Sequence, residues 1–444
     1  MNYLKGSVRH PRLVLLLSAS ALLLPGCALK PSRPASQTGD RAYVSYKAVP
    51  KQEGRLRLAV KDLIDVRGEV TSAGSEYVSK NSPPAQRDAA CMAEARRRGV
   101  VIVGKTNLTE FAIGTSGIND YFGTPKNHLS RKEKLIPGGS SNGSAVAVAN
   151  GTADVAFGSD TAGSIRTPAA CCGIFGLKTT FGLVSLKGVF PLAPHLDTVG
   201  PMAADVPHLV KGMDLLKPGF AQRYQAEAAR HPSGRTLRVG RLYLPGANPE
   251  VDRAVDRALT AAHFQVVPLN EQFRKDWEEA KSHTKTVALS EGWLNLKQYL
   301  DKPGVSAPTK ATILLGDMEY PTKYEKALAA QQAWQQELKR LFRRVDLIAV
   351  PTLQNTPPKV PFWGHFALME DQVYQLQNTA AVNFAGNPAI AIPVPLADPK
   401  VPKTSVQLVG PRLGEARLVN AARLIANAEH TADRSENGRK KSTR

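Results

Sequence analysis

Between Ile136 and Gly182 the chain places two Gly/Ser-rich runs next to segments that are small and apolar on every side. Ser144 to Ala149 reads SAVAVA; as a helix it has no polar face, so it suits only a densely packed interior. Asp154 to Phe157 then reads as a strand. Further short apolar runs have the length of buried strands: Leu56 to Val60, Val100 to Val103, Val345 to Val350, Ala389 to Val394 and Ser405 to Val409. Arg87 to Arg98 and Glu325 to Arg344 have helical spacing. This alternation predicts an α/β fold with a central mixed, mostly parallel β-sheet covered by helices on both faces.

The chain has 444 residues, of which 42% are hydrophobic, enough for one large core, and its four cysteines are too few to staple it. Its formal net charge of +20 invites a nucleic-acid reading, which has to be tested by where the charges sit. Lys5, Arg9 and Arg12 precede the apolar run Leu13 to Leu24, too short to span a bilayer and suited to a signal-peptide core. The run closes with Leu24-Pro25-Gly26-Cys27, which resembles a bacterial lipobox with Cys27 as the lipidated residue. The expected organisation is a lipoprotein-type signal at 1–26, a lipid-anchored tether at 27–55, a catalytic domain at 56–427 and a basic disordered tail at 428–444. Within the domain, 217–344 reads as a variable helical insertion. The protein is then expected to be exported and lipid-anchored in the cell envelope, on the periplasmic side of the outer membrane in a Gram-negative cell. Basic residues at both ends account for part of the charge, and a basic surface suits anionic lipid headgroups. No helix-turn-helix, zinc finger or aromatic-basic RNA motif accompanies it.

The Gly/Ser runs carry the chemistry. One is Pro137-Gly138-Gly139-Ser140-Ser141-Asn142-Gly143-Ser144, the other Gly158-Ser159-Asp160-Thr161-Ala162-Gly163-Ser164-Ile165-Arg166. A phosphate-binding loop would need GK[ST] after its glycines, and Ser and Asn stand there instead. A linker is excluded by the apolar core segments on either side. Together with Lys61 in AVKDLIDV, these runs resemble the amidase signature family of Ser-cisSer-Lys hydrolases. The resemblance extends to GVVIVGKTNLTEFAIGTS (99–116), CGIFGLKTTFGLVS (172–185), LDTVGPM (196–202), NPAIAIPV (387–394) and SVQLVGP (405–411).

The resemblance implies the amidase-signature fold and a catalytic triad of Ser164 as nucleophile, Ser140 as bridging serine on a cis Gly139-Ser140 peptide, and Lys61 as base. The chemistry fits these residue types: a serine hydroxyl needs a nearby proton acceptor, and lysine serves only when burial keeps it neutral. Backbone N–H groups of Thr161, Ala162, Gly163 and Ser164 are expected to form the oxyanion hole. Gly114, Thr115 and Ser140 are expected at the substrate, and Asp160 and Arg166 to brace the nucleophile loop. Two positions depart from the family pattern, Ala162 and Asn142; Ala162 serves if its φ stays negative, and Asn142 is expected in a left-handed conformation or as a change near the helix start.

His195 and Asp197 are the competing Ser-His-Asp candidates; His195 reads instead as a satisfied or surface histidine. The nine histidines show no metal spacing, so no metal and no cofactor are expected. Cys91, Cys171 and Cys172 read as buried thiols. The expected activity is hydrolysis of a carboxamide to a carboxylic acid and ammonia or amine, on a small-molecule or peptide amide, with the membrane reached through Cys27 and no specific nucleic acid as partner. The alternatives are a non-catalytic protein of the same fold and an amidotransferase-subunit-like member, which would suit a basic chain but not an exported one.

Overall fold

The computed structural model describes residues 34, 36–52, 54–361, 366–398 and 400–442; the expected signal segment 1–26 and Cys27 lie outside them. Its framework is one mixed sheet. The strands are β1 (Tyr43–Tyr46), β2 (Arg57–Lys61), β3 (Val101–Thr106), β4 (Val155–Asp160), β5 (Phe175–Lys178), β6 (Thr198–Ala203), β7 (Arg238–Arg241), β8 (Gln265–Pro268), β9 (Leu347–Pro351), β10 (Ala389–Pro395) and β11 (Lys403–Val409). They lie in the order β1-β3-β2-β4-β6-β5-β10-β11-β9-β7-β8.

The α/β class and the mixed sheet agree with the sequence reading; the expected parallel majority does not. Parallel pairing is confined to two flanks, β3-β2-β4 and β9-β7-β8. The middle of the sheet, from β4 through β6, β5, β10 and β11 to β9, is antiparallel throughout. These central strands are almost wholly buried. A strand covered on both faces gives an apolar run whichever way its neighbour points, so the sequence pattern does not distinguish the two pairings.

Three boundaries differ as well. Tyr43–Tyr46, inside the expected tether, forms β1 and pairs antiparallel with β3. Its anchors are the buried Ala42 and Tyr43, with the Tyr43 and Tyr46 rings 4.5 Å apart. The span 217–344 is not wholly helical, because its β7 and β8 complete one end of the sheet. At the C-terminus a helix runs from Glu415 to Ser442 through the segment expected to be disordered. Leu418, Val419, Ala422 and Ile425 bury its first turns, and good helix formers such as Ala426, Ala428 and Glu429 carry the pattern onward.

The SAVAVA segment lies in the helix Asn142–Ala149, whose residues 142 to 148 are all buried. It packs between β2, β3, β4 and the helix Arg166–Cys172, as its lack of a polar face requires. Two long helices, Glu271–Leu296 and Ala307–Leu341, pack on each other and carry the wall opposite the nucleophile loop. No described helix is long and apolar enough to cross a membrane.

Candidate active site

Lys61 ends β2, and the neighbouring parallel strand β4 ends at Asp160, so both chain reversals occur at the same edge of the sheet. The loop 161–165 follows β4 and leads into the helix Arg166–Cys172; the loop ending at Ser141 leads into Asn142–Ala149. The Ser141 N–H donates to the Ser164 carbonyl at 3.1 Å and ties the two loops together. The three expected triad residues thus converge from positions 61, 140 and 164.

Lys61 is fully buried. Its Nζ donates to Ser140 Oγ at 2.7 Å and to Ser159 Oγ at 2.9 Å. Burial pushes its pKa from 10.5 down to about 7, against the opposing pull of the Asp160 and Asp197 carboxylates. The Gly139-Ser140 peptide is cis, and the Ser140 carbonyl accepts from the Thr109 N–H at 3.2 Å. Ser159 was not singled out in the sequence. The available signal was its place one residue before the end of β4, alongside the strand that delivers Lys61.

Ser164 lines a cavity of about 190 Å³. Ser140 is fully buried and is not part of that wall, so of the three residues expected at the substrate only Gly114 and Thr115 reach the cavity. Ser164 Oγ has no hydrogen-bond partner among the described residues, Ser140 Oγ included. Catalytic hydrogen bonds are often long before substrate closes the site.

The turn before Ser164 is built for exposed N–H groups. Gly163 has a φ of +139°, a conformation that side-chain-bearing residues rarely adopt, and its missing Cβ leaves room for the Thr379 side chain. Ala162 keeps an ordinary negative φ, and its carbonyl accepts from Thr379 Oγ1 at 2.6 Å. Among the described residues no acceptor takes the N–H groups of Ala162, Gly163 or Ser164. Thr161 Oγ1 donates to Asp197 at 2.6 Å, and Asp197 also accepts from the Leu192 and Ala193 N–H groups. Burial raises the Asp197 carboxyl to about 6 despite these donors.

Asp160 and Arg166 form a fully buried ion pair at 2.9 Å, and Asp160 also accepts from the Ile165 N–H at 3.1 Å. Burial alone would raise the Asp160 carboxyl; the Arg166 guanidinium holds it down to about 2. Arg166 reaches further, to the Thr379 carbonyl at 2.9 Å and to Gln407 and Asn383 at 2.5 Å each. Thr379, Asn383 and Gln407 were missed in the sequence, because their link to residue 166 spans more than two hundred positions. Asn142 is not left-handed. It starts its helix with ordinary φ, accepts from the Gly143 N–H at 2.8 Å and donates to the Gly117 carbonyl at 2.5 Å.

His195 is half exposed and pairs with Glu291 at 2.7 Å, not with Asp197 or Ser164. Cys91, Cys171 and Cys172 are free and buried. No cluster of metal-ligating side chains exists among the described residues.

Comparison with known proteins identifies the family. Residues 54–419 match the Amidase family. The chain is similar to a Glutamyl-tRNA(Gln) amidotransferase subunit of Halobacterium salinarum, 34% identical over 406 residues, which is 83% of this chain and 94% of that protein. Among solved structures it resembles a protein of the vestigial complex that reveals the evolutionary origins of an s-triazine catabolic enzyme, with a TM-score of 0.75 and 27% identity over 86% of this chain and 85% of the other. A crystal structure of an amidase superposes with a TM-score of 0.68 and 28% identity, covering 84% of each chain. This chain belongs to the Amidase family.

Proposed function

We propose that the chain cleaves a carboxamide C–N bond through an acyl-Ser164 intermediate. The observation that carries the reading is the buried Lys61 amine, 2.7 Å from Ser140 Oγ and held near pH 7 by burial, behind a cavity that Ser164 faces. In this mechanism neutral Lys61 takes a proton from the Ser140 hydroxyl as Ser140 takes the Ser164 proton. Ser164 Oγ attacks the amide carbonyl carbon, and the N–H groups at 162–164 hold the resulting oxyanion. The proton returns by the same path to the amide nitrogen, the C–N bond breaks, and ammonia or amine leaves. Water, deprotonated along that path, then cleaves the acyl ester and releases the carboxylic acid. Asp160 and Arg166 keep the loop in shape and carry no proton.

Two settings share this chemistry: free hydrolysis, and an amidotransferase-subunit-like role in which ammonia passes to an acceptor with the help of partner chains. The similarity over 94% of the Halobacterium salinarum protein favours the second. The amino-terminal Leu24-Pro25-Gly26-Cys27 sequence reads the other way, since an exported, Cys27-lipidated chain would not meet cytoplasmic aminoacyl-tRNA. A non-catalytic role is disfavoured by the intact Lys61, Ser140 and Ser164 set. The decisive experiment labels the full chain with a serine-reactive fluorophosphonate and maps the adduct. Modification of Ser164 that is lost in Ser164→Ala supports the proposal, and no adduct at Ser164 sinks it. Cell fractionation with mass analysis of Cys27, and a search for co-purifying proteins and tRNA, separate the two settings.

A further inference from the structure

The cavity in front of Ser164 is lined by a mixture of apolar side chains and a few polar ones, with Lys285, Glu370 and Asp371 as its charged residues. Ile113, Leu192, Ala288, Leu289, Ala311 and Leu315 are among the residues that form its wall. The polar side chains on that wall, Ser164 apart, already have partners within the fold. Thr115 Oγ1 donates to Glu370 at 3.0 Å, Thr161 Oγ1 to Asp197 at 2.6 Å and Thr312 Oγ1 to the Pro308 carbonyl at 3.0 Å. The Tyr374 hydroxyl donates to the Lys281 carbonyl at 2.9 Å, leaving its ring as the surface. Glu370 also accepts from the Ser116 N–H at 2.9 Å. Lys285 and Asp371 pair at 3.0 Å with side chains 43% and 57% exposed, which puts them at the solvent edge. Ala311, Leu315 and Met318 follow one another at helical i, i+4, i+7 spacing, and Leu315 and Met318 are 51% and 72% exposed. The apolar face therefore continues outward from the cavity.

We propose that the acyl part of the substrate is uncharged and apolar, an alkyl or aryl carboxamide, with Leu289, Ala311 and Leu315 as the residues that select it. This rests on the acyl-Ser164 reading for turnover but concerns the cavity alone. A charged or strongly polar acyl group, such as the zwitterion of L-glutamine, would leave its solvation for a site whose charged side chains are already engaged, Lys285 with Asp371 and Glu370 with Thr115 and Ser116. An apolar chain loses no hydrogen bonds and covers surface that is otherwise wet. The sense of selection is thus opposite to that expected of a site built around an amino-acid amide.

Binding to the full-length Ser164→Ala variant, measured by calorimetry, tests this without turnover. Acetamide, n-butanamide, n-hexanamide, benzamide and L-glutamine are the probes. The expected result is tightening along the n-alkyl series by about fourfold per methylene, with L-glutamine weaker than n-hexanamide. Leu315→Asp, at an exposed position, should flatten the series. Glutamine binding as tightly as n-hexanamide, a flat series in Ser164→Ala, or no binding of any amide would overturn the proposal. Ammonia release from the same amides by the unmodified chain reports separately on the acyl-serine reading. Binding in the expected order with no turnover and no fluorophosphonate adduct would remove the mechanism and leave the cavity's selectivity standing; glutamine-preferring turnover would do the reverse.

Discussion

Lys61 Nζ lies 2.7 Å from Ser140 Oγ, and neither residue is exposed to solvent. A primary amine in that position is useful as a base only because burial has removed most of its preference for the charged form. In the proposed mechanism Ser140 relays the proton, which lets the amine stay behind the cavity wall, out of reach of water that would restore its ordinary pKa.

Removing any member of this set is expected to abolish turnover and spare the fold. Ser164→Ala should lower kcat/KM by about 10⁴-fold or more, with the melting temperature within a few degrees of the parent, since the Ser164 hydroxyl has no partner to lose among the described residues. Ser140→Ala should be similarly inactive and yet retain Ser164. Ammonia release and differential scanning fluorimetry on the two variants check this. A Ser140→Ala protein with near-normal kcat/KM would mean that the proton does not travel through residue 140.

The pH dependence follows from the same amine. The proposed mechanism needs Lys61 neutral, so kcat/KM should rise through an acid limb with an apparent pKa of about 7 and level off above it. The neighbouring Asp197 carboxylate favours the charged lysine, so Asp197→Asn should move the limb to lower pH. Stability carries a matching signature. The folded pKa of Lys61 lies below its ordinary 10.5, so between about pH 7 and 10.5 the unfolded chain holds the extra proton and this group's contribution to stability rises with pH. The difference in melting temperature between the parent and Lys61→Met should therefore shift in the parent's favour from pH 7 to pH 9. An acid limb near pH 10 would show that the lysine keeps its ordinary pKa.

How much of this was readable in the sequence depended on distance along the chain. Ser140 and Ser164 announce themselves because each sits in its own Gly/Ser run between buried segments, and Lys61 because it ends a short apolar strand. Ser159 was passed over because its value comes from a neighbour almost one hundred residues away on β2. Thr379, Asn383 and Gln407 are less readable still, since nothing local marks them as partners of Arg166. The antiparallel middle of the sheet was hidden for a different reason: β4, β6, β10 and β11 are buried on both faces, and pairing direction leaves no trace in such a pattern. The tyrosines of β1 were masked by the Pro, Ser and Lys around them.

Gly163 offers a test of the oxyanion geometry separate from the triad. Its φ of +139° and the Thr379 side chain where a Cβ would stand make Gly163→Ala a forced rearrangement of the turn. The variant should lose about 10²–10³-fold in kcat, with little change in KM and with Ser164 still reactive toward small fluorophosphonates. Steady-state kinetics on one amide substrate separates the two parameters. Unchanged kcat would place the oxyanion donors elsewhere.

The Asp160–Arg166 pair makes the opposite prediction, a large stability effect from residues that touch no reacting atom. Arg166→Ala would leave the Asp160 carboxylate fully buried without its cation and strip donors from the Thr379 carbonyl, Asn383 and Gln407. The expected loss is about 3–5 kcal/mol. Asp160 is held down to about 2 by that guanidinium, so in the variant its carboxyl should move up; protonating it relieves the unpaired buried charge, and the variant's loss relative to the parent should be smaller at pH 5 than at pH 7.5. Denaturant unfolding of both proteins at pH 7.5 and pH 5 measures this. Asp160→Asn with Arg166 intact is the companion variant, in which the unpaired group is a buried cation and the recovery at pH 5 should be absent. Equal stability of Arg166→Ala and the parent at both pH values would show that Arg166 does not hold the loop, leaving the Thr379 Oγ1 bond to the Ala162 carbonyl and the Asn383 amide bond to Asp160 as its supports.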